Sequence, residues 1–441
     1  MSSFDLLCKS VSFEELQKIY YLKVRPKAVA GLDKVDKYKF DKILENEFEI
    51  IERKVKRGKY SFTRYKKILI SKGEGKNPRV INIPTIRDKI VLASINSCFN
   101  TIYDNTNCSK LPHIIINNIK ESIDSQQYNY FIKYDIKSFY ASINHDILRK
   151  KLKYKIRNNL FLNVIFNAIT NDGIVFPIKK LNKKIIRNMG IPEGLSISNS
   201  LANVYLMALD KKMNSISSIK YYRYVDDILI LCNVDEQEKI NSLVKKEVCK
   251  KLKLELNQKC DKGFIDKNAF EYLGYHFDND ILSVRESSRY KLENSIELLM
   301  AKYKLSENKN IELLEWKLNL KISGCIYKNK KYGWLFFYSQ INDKKILSQL
   351  DWFILKLLNR YNIDFKPKRF KKTYYEIRNN LHNTKYIINF DNYSMVQKKD
   401  ILTKIYKKNI KNFNDKQIDD LFENIIFKDI ALLEEDIQHF S

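Results

Sequence analysis

The sequence predicts an α+β fold that becomes mostly helical towards its C-terminal end. Up to about Tyr275, segments with apolar residues at helical spacing alternate with short aromatic and β-branched runs, and beyond it the pattern is mostly helical. Hydrophobic residues make up 44% and charged residues 30% of the 441. A chain of this length and composition is sufficient for two or three domains with buried cores.

The first predicted elements are a helix and a basic hairpin. Phe40 to Arg57 has apolar residues at helical spacing and stops at Gly58, a common residue just past a helix end. A short strand over Lys67 to Ser71 leads through a turn rich in Gly and Lys (KGEGKNP, Lys72 to Pro78) into a second strand, RVINI. We expect this hairpin to project positive charge.

Acidic residues stand at the ends of the next predicted strands. YFIKYDI reads as a buried strand with Asp135 near its end, and Asn144 can cap the helix that begins with HDILRKKL. YYRYVDDILILC has two apolar half-strands around Asp226 and Asp227 and no Gly, which predicts a tight hairpin with carboxylates at its tip. The segment between them predicts a helix with one apolar face, formed by Ile197, Leu201, Val204 and Ala208.

The charge balance points to an anionic partner. Lys and Arg number 80 against 52 Asp and Glu, a formal charge of +28 spread over the whole length, and nucleic acid is the first candidate. No apolar run reaches the roughly 20 residues of a membrane span, and the N-terminus lacks the order of a signal peptide, so we expect a cytoplasmic protein with no membrane partner. The seven Cys residues occur singly and predict no zinc site.

The acids fit the chemistry of phosphoryl transfer. A polymerase must hold two cations about 4 Å apart, one at the primer hydroxyl and one at the triphosphate. Hard oxygen ligands suit Mg²⁺, which takes its remaining ligands from water and substrate phosphates. Asp135 at a strand end and Asp226 with Asp227 on a hairpin supply such ligands. Taken alone, the hairpin acids could also be a solvated turn.

The order of these motifs resembles the reverse transcriptase family, close to its bacterial retroelement branch. The likeness runs from Ile68 to Phe277: YDIKSFYASINHDIL resembles the first metal motif, GIPEGLSISNSLA the template-facing motif and YVDD the second metal motif. LELNQK resembles the loop that follows, FEYLGYHF the primer-grip hairpin and ILISKGEGKNPRVINIPTIRDKIV the fingers.

The resemblance implies the roles of the central residues. Asp135 and Asp226 would be the principal ligands of two Mg²⁺ ions, with Mn²⁺ as an alternative; Asp227 would assist, and the Ile136 carbonyl would complete one shell. Tyr140 matches the position under the sugar that excludes a 2′-hydroxyl, which favours dNTP over NTP, although a core Tyr is the alternative.

Further residues would contact the substrates. Arg79 and Lys72 would grip the triphosphate, and Lys259 would assist pyrophosphate departure, although all three could be ordinary surface charges. Gly194 would let the backbone approach the template or the new base pair, or is a plain turn Gly. Phe270, Leu273, Gly274 and Tyr275 would form the primer grip, or simply a hydrophobic hairpin.

Two positions depart from the family. Glu193 stands where Gln is usual, and Asn199 where Pro is usual, which puts a carboxylate near the incoming nucleotide. These departures resemble the defence-associated, abortive-infection-like bacterial groups. That resemblance implies a role against phage, with a noncoding RNA as template or partner and a second protein subunit or a homo-oligomer as a further expectation.

The resemblance also implies a right-hand polymerase with fingers, palm and thumb. We expect the N-terminal region and fingers over 1–130, the palm over 131–284 with a fingers insertion near 150–189, and a helical thumb and C-terminal extension over 285–441. Trp316, Trp334 and Trp352 could stack bases in the thumb, or belong to the core.

The predicted function is RNA-directed DNA synthesis from an RNA template and dNTPs, with DNA as the product. Two alternatives remain open. An untemplated or protein-primed nucleotide transferase would keep all three acids, whereas a nucleic-acid-binding scaffold would have lost chemistry.

Overall fold

The chain folds into two compact units. The computed structural model describes residues 2–71, 78–103, 111–175, 188–258 and 260–437. The first unit consists of Met1–Ser109 and Ile132–Lys262, and the second of Lys110–Phe131 and Gly263–Ser441. Helices and sheets occur in both units, which confirms the predicted α+β class.

The α-helices are α1 Ser3–Ser10, α2 Phe13–Ile19, α3 Lys37–Asp41, α4 Leu44–Lys56, α5 Ile86–Ile102, α6 Pro112–Asp124, α7 Phe139–Ser142, α8 His145–Lys153, α9 Asn159–Ile169, α10 Ser198–Asn214, α11 Gln237–Lys245, α12 Glu286–Leu305, α13 Ile311–Ser323, α14 Trp334–Phe337, α15 Lys344–Arg360, α16 Phe370–Asn379, α17 Met395–Asp400 and α18 Asp415–Glu435. The π-helical segments are Tyr20–Val24, Lys246–Lys251 and Ile401–Ile405, and 3₁₀ turns span Arg25–Lys27, Val234–Glu236 and Phe390–Asn392. Within the described ranges, no helix combines the length and apolar composition needed to cross a bilayer.

The strands are β1 Tyr65–Ile70, β2 Arg79–Ile83, β3 Tyr130–Asp135, β4 Gly173–Val175, β5 Lys220–Tyr224, β6 Asp227–Cys232, β7 Asp261–Phe264, β8 Phe270–Tyr272, β9 Tyr275–Asp278, β10 Ile281–Val284, β11 Cys325–Tyr327, β12 Lys330–Tyr332 and β13 Ile388–Asn389. Their sheet orders are β2-β1-β4, β5-β6-β3-β7, β10-β9-β8 and β12-β11-β13.

Two sheets position the residues of interest in the first unit. In one, β1 pairs antiparallel with β2 and parallel with β4, as Ile68 opposite Ile81 and Tyr65 opposite Gly173 show. In the other, β6 lies between β5 and β3 and is buried from Ile228 onward. Strands buried on both faces read as continuous apolar runs, which is why DILILC shows no alternation.

The second unit has its own core. Apolar residues of α13, β11 and α18 pack together in one buried cluster, which includes Leu320, Cys325 and Phe422. Trp316 packs against this cluster, and its indole Nε1 donates to Asp429 at 3.2 Å. The C-terminal helices therefore close a core of their own.

Two details of the predicted helices were wrong. The helix predicted over Phe40 to Arg57 is broken between α3 and α4. Here the amides of Lys42 and Ile43 donate to the carbonyls of Lys39 and Phe40, three residues earlier, rather than four residues earlier as in an α-helix. Ala208 is exposed rather than on the buried face with Leu201 and Val204. The predicted cap is confirmed, since the Asn144 side chain accepts from the amides of Asp146 and Ile147.

Candidate active site

A two-residue hairpin turn carries the adjacent acids. Tyr224 pairs with Asp227 across β5 and β6, so Val225 and Asp226 form the turn. Val225 has φ +55°, a left-handed conformation that a β-branched residue rarely adopts. Such strain persists only where the surroundings enforce it, and it is frequent at functional sites. Asp226 is only 8% exposed, so a solvated turn does not describe it.

Arg223 holds this turn in place. Its guanidinium makes a paired contact with Asp210 of α10, from Nε to Oδ1 at 2.7 Å and from Nη2 to Oδ2 at 2.6 Å. Its Nη1 also donates to the Val225 carbonyl at 2.8 Å. Paired contacts of this kind fix direction as well as distance. The strained turn is therefore tied to a buried helix.

Asp135 is held by the loop that follows the π-helical segment Lys246–Lys251. The Asn257 amide donates to the Asp135 carbonyl at 2.9 Å, and its side-chain Nδ2 donates to Asp135 Oδ2. The Lys137 amide donates to the Glu255 carbonyl at 2.8 Å. These backbone bonds form the bridge between Ile136 and Leu256 without engaging the Ile136 carbonyl.

Burial and the neighbouring acids make Asp226 costly to ionise. Burial, followed by the nearby carboxylates of Asp227, Asp135 and Glu193, raises the pKa of Asp226 to about 7. Burial and the charges of Asp226 and Glu193 likewise raise the pKa of Tyr140 to about 12. Like charges close together disfavour ionisation, so the site concentrates negative charge that a cation would stabilise.

Glu193 pairs with Arg79. Arg79 Nε donates to Glu193 Oε2 at 2.6 Å, across 114 residues of sequence. Arg79 begins β2, and Asn82 of the same strand donates from its amide to the Glu193 carbonyl at 2.8 Å. The side chains are 36% and 29% exposed, so solvent reaches the pair.

Gly194 has a structural requirement of its own. Its φ is +97°, and a Cβ there would lie 2.6 Å from the Asn82 carbonyl oxygen. A side chain at this position would meet the backbone of β2. The close approach that the sequence predicts is therefore to the chain itself, and approach to a base pair stays a prediction.

The donor set fits a metal that shares its ligands with a substrate. In the described part of the chain, no three His, Cys, Asp or Glu side chains form a ready-made metal site. Mg²⁺ is usually bound through one or two carboxylates plus substrate phosphates rather than by an all-protein cage. Buried Asp226 beside Asp227, with Asp135 close enough to raise its pKa, is a donor set of that kind.

The stretch that contains these acids matches a known protein family. Residues 70–277 match the family model described as "Reverse transcriptase (RNA-dependent DNA polymerase)". This stretch contains Asp135, the hairpin acids and the Arg79–Glu193 pair. Residues 70–277 form a reverse transcriptase domain. Its fold is therefore that of a right-hand polymerase, as the sequence predicts. The limits of fingers, palm and thumb stay predictions, as does the defence-associated subtype.

Proteins similar to this chain include one from an intron and one from a bacterium. It is 30% identical over 181 residues to an uncharacterised 91 kDa protein in the cob intron of Schizosaccharomyces pombe, covering 38% of this chain and 21% of that protein. It is 23% identical over 344 residues to the protein YkfC of Escherichia coli strain K12, covering 67% of this chain and 86% of that one. The chain thus spans about a fifth of the intron protein's length.

A solved structure shows a weaker likeness. The telomerase of Candida albicans, in complex with a TWJ fragment of telomeric RNA, aligns at 12% identity with a TM-score of 0.43. The alignment covers 92% of this chain and 69% of that one. This TM-score is too low to assign a fold by itself.

A lysine-lined cleft adjoins Asp135 in the reverse transcriptase domain. Its volume is about 1690 Å³, and its walls come from the end of β3, from α11 with the π-helical turn after it, and from the loop around Asn257. Its charged lining consists of Lys133, Lys137, Lys245, Lys250, Lys253 and Lys262, with Asp135, Glu238, Glu255 and Asp261. With six lysines against four acids, the lining carries a net positive charge beside Asp135.

The remaining predicted residues fall elsewhere. Lys72 and Lys259 lie outside the described residues. The predicted primer grip is in the second unit, where β8 and β9 meet at a turn with positive φ at Leu273 and Gly274. Phe270 and Tyr275 are buried there, so this hairpin contributes to a core. Its contact with a primer stays a prediction.

Sequence reasoning missed the residues that position the acids. Asn257 and Arg223 lie within the LELNQK and YYRYVDD motifs, and Asp210 lies on the helix after the template-facing motif. Their roles arise from contacts with residues distant in sequence, such as the 122 positions between Asn257 and Asp135. Proximity to a motif was the available signal.

Proposed function

We propose that the protein is an RNA-directed DNA polymerase that works by two-metal nucleotidyl transfer. The observation that carries this proposal is the buried Asp226, flanked by Asp227 and electrostatically coupled to Asp135, within the stretch that matches the family. The buried carboxylate of Asp226 and the partly exposed carboxylates of Asp135 and Asp227 are expensive to hold close together unless cations compensate their charge.

The residues take the following roles in the proposal. Asp135, Asp226 and Asp227, with the Ile136 carbonyl, would hold two Mg²⁺ ions. When bound, such ions lower the pKa of the primer hydroxyl and neutralise the triphosphate. Asn257 and Arg223 orient the ligands by their bonds to Asp135 and to the Val225 carbonyl.

Two further groups would select the substrate. Tyr140 lies close enough to Asp226 and Glu193 for their charges to raise its pKa, which supports a place beside the sugar and a preference for dNTPs. Arg79 would meet the triphosphate after leaving Glu193, because a guanidinium binds phosphate oxygens as readily as a carboxylate. Lys72 and Lys259 would assist at the phosphates.

Primer extension tests the proposal. Purified protein is given a primed RNA template, Mg²⁺ and labelled dNTPs or NTPs, beside the double variant Asp226→Asn, Asp227→Asn and the control Asp235→Asn. Asp235 is an exposed acid of the same unit. We expect template-dependent DNA from the wild type and the control, a loss of more than about 100-fold in the double variant, and no product after chelation by EDTA.

The other outcomes select the alternatives. Product that depends on Asp226 and Asp227 but is indifferent to the template would favour an untemplated or protein-primed transferase. The wild type and both variants could also bind RNA yet make no product, with or without added cellular RNA. That outcome would contradict the polymerase proposal and favour a scaffold.

For the biological role, we propose antiphage defence with a noncoding RNA as template or partner, and a second protein or a second copy as a further partner. The supporting observation is the Glu193–Arg79 pair, which gives the departure from the family pattern a physical consequence at the site. Cells that carry the intact locus should reduce phage plaquing relative to cells with the Asp226→Asn, Asp227→Asn version. Equal plaquing on both would contradict the role.

A further inference from the structure

The three tryptophans of the second unit have different environments. Trp334 is buried, and Trp316 packs against the core around α13 and α18. Trp352 on α15 is 62% exposed. The inner face of α15 is already filled by apolar residues, namely Ile346, Leu347, Leu350, Ile354, Leu357 and Leu358. Trp352 is therefore not needed for this core, and its large ring faces solvent.

Lysines surround Trp352 on the outer face of α15. Lys345 and Lys356 are seven residues before and four after it, which places all three on one side of a helix with 3.6 residues per turn. Lys356 Nζ lies 5.0 Å from the centre of the Trp352 ring. We call Lys345, Trp352 and Lys356, together with the neighbouring Lys344 and Tyr375, the Trp352 surface.

A second aromatic residue extends this surface onto α16. Tyr375 is 40% exposed, and Lys344 of α15 lies over its ring, with Nζ 5.6 Å from the ring centre. Asp351 of α15 accepts from the amides of Phe370 and Lys371, which ties the start of α16 to the residue that precedes Trp352. Two exposed rings, each with a lysine above it, thus lie on packed helices.

The charge of this region selects the kind of partner. Residues 344–379 contain ten Lys or Arg and three Asp or Glu, a net charge of +7. Asp351 is the one acid within α15, and it is engaged by the start of α16. A docking face for another protein's apolar helix has no need of such an excess. Phosphate groups match it.

From these contacts, we propose that the Trp352 surface binds single-stranded nucleic acid. Bases would stack on Trp352 and Tyr375, while Lys344, Lys345 and Lys356 contact phosphates. Aromatic rings with nearby lysines suit a single strand, because its unpaired bases expose the faces that a duplex hides. The inference is independent of the proposed polymerase activity, since binding here needs neither nucleotide nor metal.

Fluorescence of the full-length protein tests the proposal directly. Tryptophan emission is titrated with a 12-nucleotide oligouridylate, without metal or dNTPs. Stacking on the exposed indole should quench part of the emission, and the variant Trp352→Phe should lose that quenching because the other two indoles are in the core. Persistence of the full quenching in Trp352→Phe would overturn the proposal.

Affinity distinguishes stacking from simple apolar contact. In anisotropy titrations with the fluorescein-labelled oligouridylate, Trp352→Ala and Trp352→Leu should bind about 10-fold more weakly, while Trp352→Phe stays near wild type. Lys356→Glu should also weaken binding. The matched control Lys404→Glu, an exposed lysine elsewhere in the unit, should change binding far less.

Each remaining outcome contradicts the proposal in a distinct way. Unchanged oligouridylate binding by Trp352→Leu would show that no base stacks on the ring at this position. If the same variants lost affinity equally for a blunt 12-base-pair RNA duplex, charge alone would explain the binding. Thermal unfolding should be unchanged in the Trp352 variants, because the ring is mostly exposed; a lowered midpoint would show a structural role instead.

Discussion

Among single residues, Glu193 has the most direct consequence for a nucleotide at the site. Its carboxylate holds Arg79 at 2.6 Å, and the same charge adds to the negative field around Asp226 and Tyr140. A triphosphate that binds Arg79 must displace the Glu193 carboxylate from the guanidinium. It must also bring its own negative charge close to that carboxylate. In the proposed function, Glu193 would therefore oppose nucleotide binding twice, by competition and by repulsion.

We predict that Glu193→Gln lowers the KM for dNTP about 5-fold with little change in kcat. An ion pair this exposed stabilises by at most about 1 kcal/mol, which corresponds to that factor. Steady-state primer extension measures both the KM for dNTP and kcat. In an Arg79→Ala background the substitution should have a much smaller effect, since the partner is gone. A higher KM in Glu193→Gln would mean that the pair orients Arg79 for the phosphates.

At the scale of elements, Asp172 joins β4 to β1. It accepts from Arg64 Nη2 and Lys67 Nζ, both at 3.2 Å, and from the Gly173 amide at 2.8 Å. Burial by itself would raise the pKa of Asp172, but the bonds and charges of Lys67, Gly173 and Arg64 together lower it below its ordinary value. The folded state therefore favours the ionised carboxylate.

We predict that Asp172→Asn lowers the free energy of unfolding by about 2 kcal/mol at pH 7. A carboxyl whose pKa is lower when folded contributes its full stability above the unfolded pKa of about 4. That contribution is lost as the pH falls through the folded pKa. Urea unfolding at pH 7, 5, 4 and 3 should show the difference from wild type shrinking over the acid steps. The control Asp235→Asn should stay near wild type at each pH, and a constant difference for Asp172→Asn would point to packing rather than charge.

Local elements were predictable from the sequence, and distant pairings were not. The β2 strand, the hairpin of β5 and β6 and the Asn144 cap depend on neighbouring residues, so their patterns are visible in the printed chain. The Arg79–Glu193 pair and the Asn257 contact with Asp135 join positions more than a hundred residues apart. Asp226 could be predicted as an acid at a turn, but its burial depends on packing that no local pattern encodes.

For the whole molecule, the +28 charge gains meaning from where the lysines stand. Lysines of the first unit line the cleft beside Asp135, and those of the second unit surround Trp352 and Tyr375. Each unit thus presents positive charge next to a different kind of group. In the first unit the lysines lie beside carboxylates suited to phosphate chemistry, and in the second they lie beside rings suited to base stacking. Binding driven by such lysines releases counterions from the nucleic acid and so weakens as salt rises.

We predict that a 20-nucleotide RNA binds about 20- to 130-fold more weakly in 200 mM than in 50 mM KCl, as expected for three to five phosphate contacts on a single strand. The slope of log Kd against log salt counts those contacts, at about 0.7 for each. If Lys250 and Lys253 of the cleft contact phosphates, replacing both by Gln should lower the slope by about 1.4, whereas replacing Lys404 and Lys407, exposed lysines of the second unit that lie beside acids, should leave it unchanged. An equal fall in both double variants would mean that the RNA responds to the overall field of the protein. A lower slope only in the Lys250 and Lys253 double variant would show that the RNA occupies the lysine-lined cleft beside Asp135.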